Sequence, residues 1–449
     1  MSKKAMQLDE IDQAVRFNEP IDVEHPFFTD FSNFRGEFEE RLVYKNLNVK
    51  RKNDAFLFDA STNSANKSIL FLGGMRGSGK TSELAKYASN LHSSDCFFCV
   101  TCNLDEELDM NELEYMDILI LQLQKLTQQL NETDISVDTG IIHKMEKWFD
   151  EREKEVKKEL KTDIGLEIGV ESKIGGFFQK ILTIFGKFHV GVTGSQERAI
   201  SVRRTLKNRF SEFSSMFNEY IEEVNIALRR EQLAQEILFI VDGLEKTLSA
   251  ETRFKVIVNE QNRLQKIKAY TIFTLPIELM KERQHLNQFS NVEAFPFVKL
   301  LERKGERHQA AFERFTEFVY KRIDASLFEN KNIVTEAIYY SGGSPRELLR
   351  ILELAAFYAD EDKGKIDENA LNKALQRLAD QTAQYLTEPM FAKLKEIRNN
   401  NQNGLDTPFD NDIQEMLEKI LVMEYNSGSY KRVNPILELS NLYKQRVES

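Results

Sequence analysis

One eight-residue segment constrains this chain more than any other. Gly74-Met-Arg-Gly-Ser-Gly-Lys80-Thr81 fits the pattern G-x-x-x-x-G-K-[ST]. The apolar run Ile69 to Leu72 precedes it and a helical pattern from Lys80 to about Leu91 follows, so the segment reads as a strand-to-helix turn. Glycines let such a loop take positive φ angles and turn its N–H groups inward. The following helix directs the positive end of its dipole at the same point, which suits a phosphate. Gly74, Met75, Arg76, Gly77, Ser78, Gly79, Lys80, Thr81 and Ser82 are therefore the candidate nucleotide-binding residues. Lys80 would reach the β/γ-phosphates and the Thr81 hydroxyl would ligate Mg²⁺. A glycine-rich turn with no ligand is the plainer alternative.

Such a loop needs a second metal ligand at the end of another buried strand. Asp242, after the run Ile237 to Val241, is the candidate, with a surface Asp-Gly turn as the alternative. Glu245, three residues on, is near enough to orient an attacking water, although a solvated turn would read the same way. Asp105 and Glu106, beyond a strand around Cys96 to Val100, are fallbacks for that role. Thr274, ending the strand Tyr270 to Leu275, could hydrogen-bond the γ-phosphate or the water. A further strand is expected around Val292 to Val298. Strands alternating with helices imply an α/β fold with a parallel sheet.

Lys80 and Asp242 are 162 residues apart, which one helix–strand–helix stretch does not use up. The excess is assigned to an inserted segment at about 131–210. Within it, seven of the chain's 20 glycines fall between 165 and 194, and Ile164, Leu166, Ile168 and Val170 alternate with polar or small residues. Period two predicts a hairpin-like module, read as a protein contact surface in preference to packing or membrane insertion. The basic cluster Arg203, Arg204, Lys207 and Arg209 behind it reads as a solvated helix face, with a subunit or nucleic-acid contact as the alternative. His92, Cys96, Cys99 and Cys102 have a spacing that could hold zinc. An extended strand sends residues 96 and 99 to opposite faces, so a buried strand is the better reading.

Ser341 to Leu352 starts a helix with clarity. Ser344 is the expected N-cap, Pro345 the first helical residue, and Glu347 the far member of an S-x-x-E capping box. Arg346 is not explained that way. A guanidinium in the first turn opposes the helix dipole and points to an anion, with a surface ion pair as the alternative.

GGMRGSGKT, IVDGLEK, FTLP and GGSPRELL, in this order, resemble the Walker A, Walker B, sensor 1 and sensor 2 motifs of the AAA+/STAND branch of P-loop ATPases. The resemblance covers roughly residues 25–440 and is nearest to bacterial STAND and origin-initiator types. It implies a P-loop NTPase core with a helical lid and a C-terminal winged-helix-like domain. It also implies ATP and Mg²⁺ as cofactors, slow or partner-stimulated hydrolysis, and regulated switching, of which antiviral defence is one setting. Lys80, Asp242, Glu245, Thr274 and Arg346 become the catalytic set, Thr81 and Asp242 the metal ligands, and Arg283 a guess at an arginine finger. The family's glutamate directly after the Walker B aspartate is here Gly243, which leaves the water-activating residue in doubt.

The expected organisation is an N-terminal segment (1–66) leading into the nucleotide site, the core (67–300), the lid (301–378) and the winged-helix-like domain (379–449). In the last, Asp410 to Ile420 and the Leu421 to Val433 hairpin would be recognition helix and wing. That helix carries Asp410, Asp412, Glu415 and Glu418 against Lys419, and Lys431 and Arg432 on the wing do not reverse the balance. With a net charge of −11 over 449 residues, DNA binding is disfavoured. A homo-oligomer or a separate effector protein is the expected partner. No apolar run reaches the ~20 residues of a membrane span, and three cysteines with no signal-like start read as cytoplasmic.

Overall fold

Continuous apolar runs, rather than alternating ones, belong to strands covered on both faces, and such runs build the centre of this protein. In a computed structural model, residues 3–448 are described apart from 63–66, 161–195 and the single positions 18, 20, 54, 134, 248 and 289. A two-stranded antiparallel ribbon, β1 (Val49–Lys52) and β2 (Ala55–Phe58), precedes the main sheet. That sheet contains β3 (Ile69–Gly74), β4 (Phe97–Asn103), β5 (Glu236–Asp242), β6 (Tyr270–Pro276) and β7 (Asn291–Ala294). Its strands are parallel in the order β4-β5-β6-β3-β7. Every residue of β3, β5 and β6 is buried. This is a mixed α/β fold around a P-loop NTPase-type core.

The sheet differs from expectation at two edges. β4 runs on through Cys102, because its backbone pairs with β5 from Phe97↔Glu236 to Asn103↔Asp242. β7 stops at Ala294, where Val298 was expected. Phe295 makes one more bond to the Gly73 carbonyl, and Pro296 then has no N–H to give.

Helix α1 (Lys80–Leu91) follows β3, and α2 (Tyr115–Glu132), α3 (Thr139–Leu160), α4 (Gln196–Asn208) and α5 (Phe210–Arg230) lie between β4 and β5. The expected hairpin module lies outside the described residues. The helices on either side of it share one apolar cluster with the sheet, including Met145, Phe149, Phe213 and Phe217. The basic cluster is only in part the solvated face that was expected. Arg204 and Arg209 are exposed, whereas Arg203 is buried, its Nε donating to Asp117 Oδ1 at 3.0 Å, and half-buried Lys207 pairs with Glu114. At Arg203, pairing with an acid replaces hydration.

Beyond β7 come α6 (Gln309–Arg322), α7 (Lys331–Tyr340), α8 (Pro345–Phe357) and α9 (Glu368–Ala383), which share a second apolar cluster. The N-terminal segment joins it. Ala5 bridges to Ile323, Phe31 stacks on Phe315 at 4.5 Å, and the Asp30 carbonyl accepts from Arg314. A buried polar knot of Ser32, Lys86 and Glu83 ties the same segment to α1. The start of the chain therefore straps the α6–α9 layer to the helix behind the glycine-rich loop.

Helices α10 (Glu388–Gln402) and α11 (Asn411–Glu418) and the antiparallel pair β8 (Val422–Tyr425) and β9 (Tyr430–Val433) form a third cluster, which includes Met75 of the loop. Tyr425 Oη donates to the Gly342 carbonyl at 2.6 Å, so this module touches the turn before α8. Lys431 is buried 3.8 Å from Glu424 and donates to the Gly428 carbonyl. Among the described residues, no helix is long and apolar enough to cross a membrane.

Candidate active site

The geometry of the site follows from β6 lying between β3 and β5. Leu72 of β3 is level with Thr274, and Val241 of β5 with Phe273, so the strand tips that carry the loop, Thr274 and Asp242 lie side by side. Gly77 and Gly79 take φ of +84° and +93°, which frees the loop to fold over the start of α1. Lys80 is buried, its Nζ donating to the carbonyls of Gly74 at 2.8 Å and Met75 at 3.0 Å, and standing 4.0 Å from Glu245. Burial pulls its pKa down, partly offset by the carboxylates of Glu245 and Asp242.

Thr81 Oγ1 donates to Asp242 Oδ2 at 2.6 Å, and Gly243 N–H holds the other oxygen at 2.8 Å. Burial, with the Glu245 charge beside it, raises the Asp242 pKa. Gly243 has φ +97°, the left-handed region that a glutamate there would enter at a cost. The turn geometry thus accounts for glycine at the position where the resembled family carries glutamate.

Glu245 sits on the one-turn 3₁₀ segment Leu244–Lys246 and lines the cleft. Its Oε2 is buried without a hydrogen-bond partner, and so are Thr274 Oγ1 and Ser78 Oγ. Buried polar atoms are almost always paired, so orphans on these elements mark places for a polar ligand or water. Asp105 accepts from Lys246 Nζ at 2.6 Å and serves as a tie for this turn. Arg253 donates to the Thr247 carbonyl and pairs with buried Glu278, a second brace that sequence reasoning missed. A lone charge on each of two elements has no local signature.

The turn before α8 delivers Arg346. Ser344 accepts from Glu347 N–H as expected, and its hydroxyl also donates to the Gly77 carbonyl at 3.1 Å, joining the lid-like helix to the loop. The capping box is only half made, because the Glu347 carboxylate faces Arg350 at 3.6 Å. Arg346 lines the cleft beside Arg76; burial and that like charge lower its pKa. Among the described residues no carboxylate forms an ion pair with it, which leaves its charge available to an anion. Arg283, half-exposed on the short helix Arg283–Leu286, does not line the cleft. His92 Nδ1 accepts the Cys99 N–H at 3.2 Å, and Cys96, Cys99 and Cys102 are buried free thiols.

The cleft extends from Lys80 and Thr81 to the N-terminal segment and the lid-like layer. Phe17, Ile21 and Phe27 on one side and Phe318 and Leu349 on the other supply its apolar wall. The aromatic run His25 to Phe38 was visible in the sequence, but it has no helical or strand period and could not be placed.

Hard oxygen donors from Thr81 and Asp242, 2.6 Å apart and beside the loop, fit Mg²⁺ completed by water and phosphate oxygens. No protein-family model matches this chain, and no curated protein matches it. Among solved structures it is similar to a Walker-type ATPase of Pyrococcus abyssi. That match has 10% identity and a TM-score of 0.36, and covers 82% of this chain and 89% of the other.

Proposed function

We propose that this chain binds and hydrolyses a nucleoside triphosphate, ATP in the reading its motifs imply, in the cleft between the glycine-rich loop and α8. The observation that carries this is the contact of Thr81 with Asp242 at 2.6 Å, beside a buried Lys80 and an orphaned Glu245 oxygen. A bound Mg²⁺ would supply charge neutralisation of the phosphates, with Thr81 and Asp242 as its protein ligands. Lys80 exchanges its two carbonyl partners for phosphate oxygens, which the low dielectric of its site makes strong acceptors. Glu245 accepts a hydrogen bond from the attacking water and orients it, while Thr274 donates to the water or the γ-phosphate. Arg346 approaches from the lid side and stabilises charge that develops on the transferring group.

The AAA+/STAND reading, with regulated switching of a second copy or a separate effector, rests on motif order. Two contacts support it: Ser344 touches the loop and Tyr425 touches the turn before α8. A nucleotide that moves the loop would be felt by both modules. DNA-directed action has less support, since α11 is acidic and Lys431 is paired with Glu424.

Phosphate release tests the reading directly. Glu245→Gln should lower kcat by about 10²-fold or more while leaving nucleotide affinity within a fewfold. Unchanged turnover would remove Glu245 from the mechanism, and no turnover in the wild-type protein would favour an ATP-bound scaffold. Arg346→Ala should cost about 10-fold to 10²-fold in kcat/KM, read from the same assay.

A further inference from the structure

At the end of α6, Arg322 presents an unusual combination. The residue is 4% exposed, yet among the described residues no carboxylate forms an ion pair with it. The guanidinium lies 3.8 Å from the centroid of Phe318 and 5.1 Å from that of Phe27. Nη1 donates to the Phe318 carbonyl at 3.0 Å. That carbonyl uses one of five N–H donors. Burial without a counter-charge draws its pKa down to about 9. A buried cation of this kind is costly unless something pairs with it. Arg322 also lines the same cleft as Lys80 and Thr81.

The two ends of the cleft are chemically different. The glycine-rich loop end offers N–H groups, Lys80 and Arg346, which suit phosphates. The strap side offers Phe17, Ile21 and Phe27, with Leu349 of α8, among the polar Gln13, Arg16, Glu19 and His25; the apolar members suit a flat ring system. Arg322 is a buried donor beside those apolar side chains. With Phe318 and Phe27 close by and one N–H given to the Phe318 carbonyl, the capacity left to it is donation from its other N–H groups.

We propose that Arg322 is the nucleoside-reading residue of the cleft: it donates to acceptor atoms of a purine base held between the N-terminal strap and the α6–α8 layer. This deepens the nucleotide-hydrolysis reading and rests on it. A purine offers ring-nitrogen acceptors and enough apolar area to cover both walls, and a pyrimidine offers less of each. Because Phe27 belongs to the strap and Phe318 to α6, the base would also bridge two elements that Arg322 already touches.

The experiment compares Mg²⁺ complexes of ATP, GTP, UTP and inorganic tripolyphosphate, binding to the full chain by calorimetry. Tripolyphosphate keeps the phosphate chemistry and lacks the nucleoside. Wild-type protein should bind at least one purine nucleotide 10-fold or more tighter than UTP or tripolyphosphate. Arg322→Met should weaken purine nucleotide binding by about 10-fold to 10²-fold and leave tripolyphosphate within twofold. Arg322→Lys should fall between, and it decides the matter with the wild-type ligand series if Arg322→Met does not fold by circular dichroism. Unchanged purine affinity in the folded variants would assign Arg322 to packing alone and overturn the proposal. Equal losses for nucleotide and tripolyphosphate would overturn it too. Wild-type protein that binds tripolyphosphate no more weakly than ATP and GTP would sink this inference and spare the phosphate site. Binding of none of the four would instead sink the nucleotide reading itself.

Discussion

Lys80→Ala is expected to abolish measurable phosphate release, a loss of at least about 10³-fold or ~4 kcal/mol of transition-state stabilisation. The side chain is 3% exposed and points its ammonium at the carbonyls of Gly74 and Met75, beside Glu245. Those carbonyls are weak acceptors compared with phosphate oxygens, so the ammonium gains most when a triphosphate arrives. Alanine removes the charge and the reach together. Burial lowers the pKa of Lys80, so a buried positive charge is lost with the side chain, and Glu245 and Asp242 lose a counter-charge. These terms oppose each other, and thermal melting should shift by only a few degrees. Phosphate release within threefold of wild type, in a folded variant, would contradict the role assigned to Lys80.

The second large effect is structural. Gly343→Ala should destabilise the protein by about 3 kcal/mol or more, against the ~1–2 kcal/mol that a left-handed alanine costs without any clash. Gly343 has φ +84°, and a Cβ placed there would overlap the carbonyl oxygen of Val298. That carbonyl belongs to the segment whose Val298 N–H donates to the Gly343 carbonyl at 3.2 Å, so neither backbone can withdraw without breaking a buried bond. Gly305→Ala is the matched comparison, since its φ is +91° and nothing lies within 4 Å of a built Cβ. Thermal or denaturant unfolding of both variants checks the difference. Equal losses would show that the close approach at Gly343 carries no weight. Because the turn also delivers Ser344 and Arg346, Gly343→Ala should lower turnover even in the fraction that remains folded.

The fold is legible in the sequence where chemistry and local periodicity coincide. The strand–loop–helix around Lys80 announces itself because glycines, an apolar run and a helical pattern are contiguous in sequence. Asp242 was found for a related reason, as a carboxylate ending a run of five apolar residues. The N-cap at Ser344 and the turn between β8 and β9 are local as well. Reading failed where a side chain's partner is distant. Arg203 looked like one member of a basic face, and only its contact with Asp117, 86 residues away, makes it a buried ion pair.

Sequence alone therefore determined the glycine-rich strand–loop–helix, the two oxygens proposed to hold a metal and the alternation that requires a parallel sheet, since each depends on residues adjacent in the chain. The placement of Thr274 between Lys80 and Asp242, the strap of residues 5–31 across the lid-like layer, and the buried guanidinium of Arg322 were decided by tertiary structure. The physical reason is range. Backbone preference and hydrophobic period act over a few residues, whereas desolvation and charge pairing depend on which surfaces finally meet.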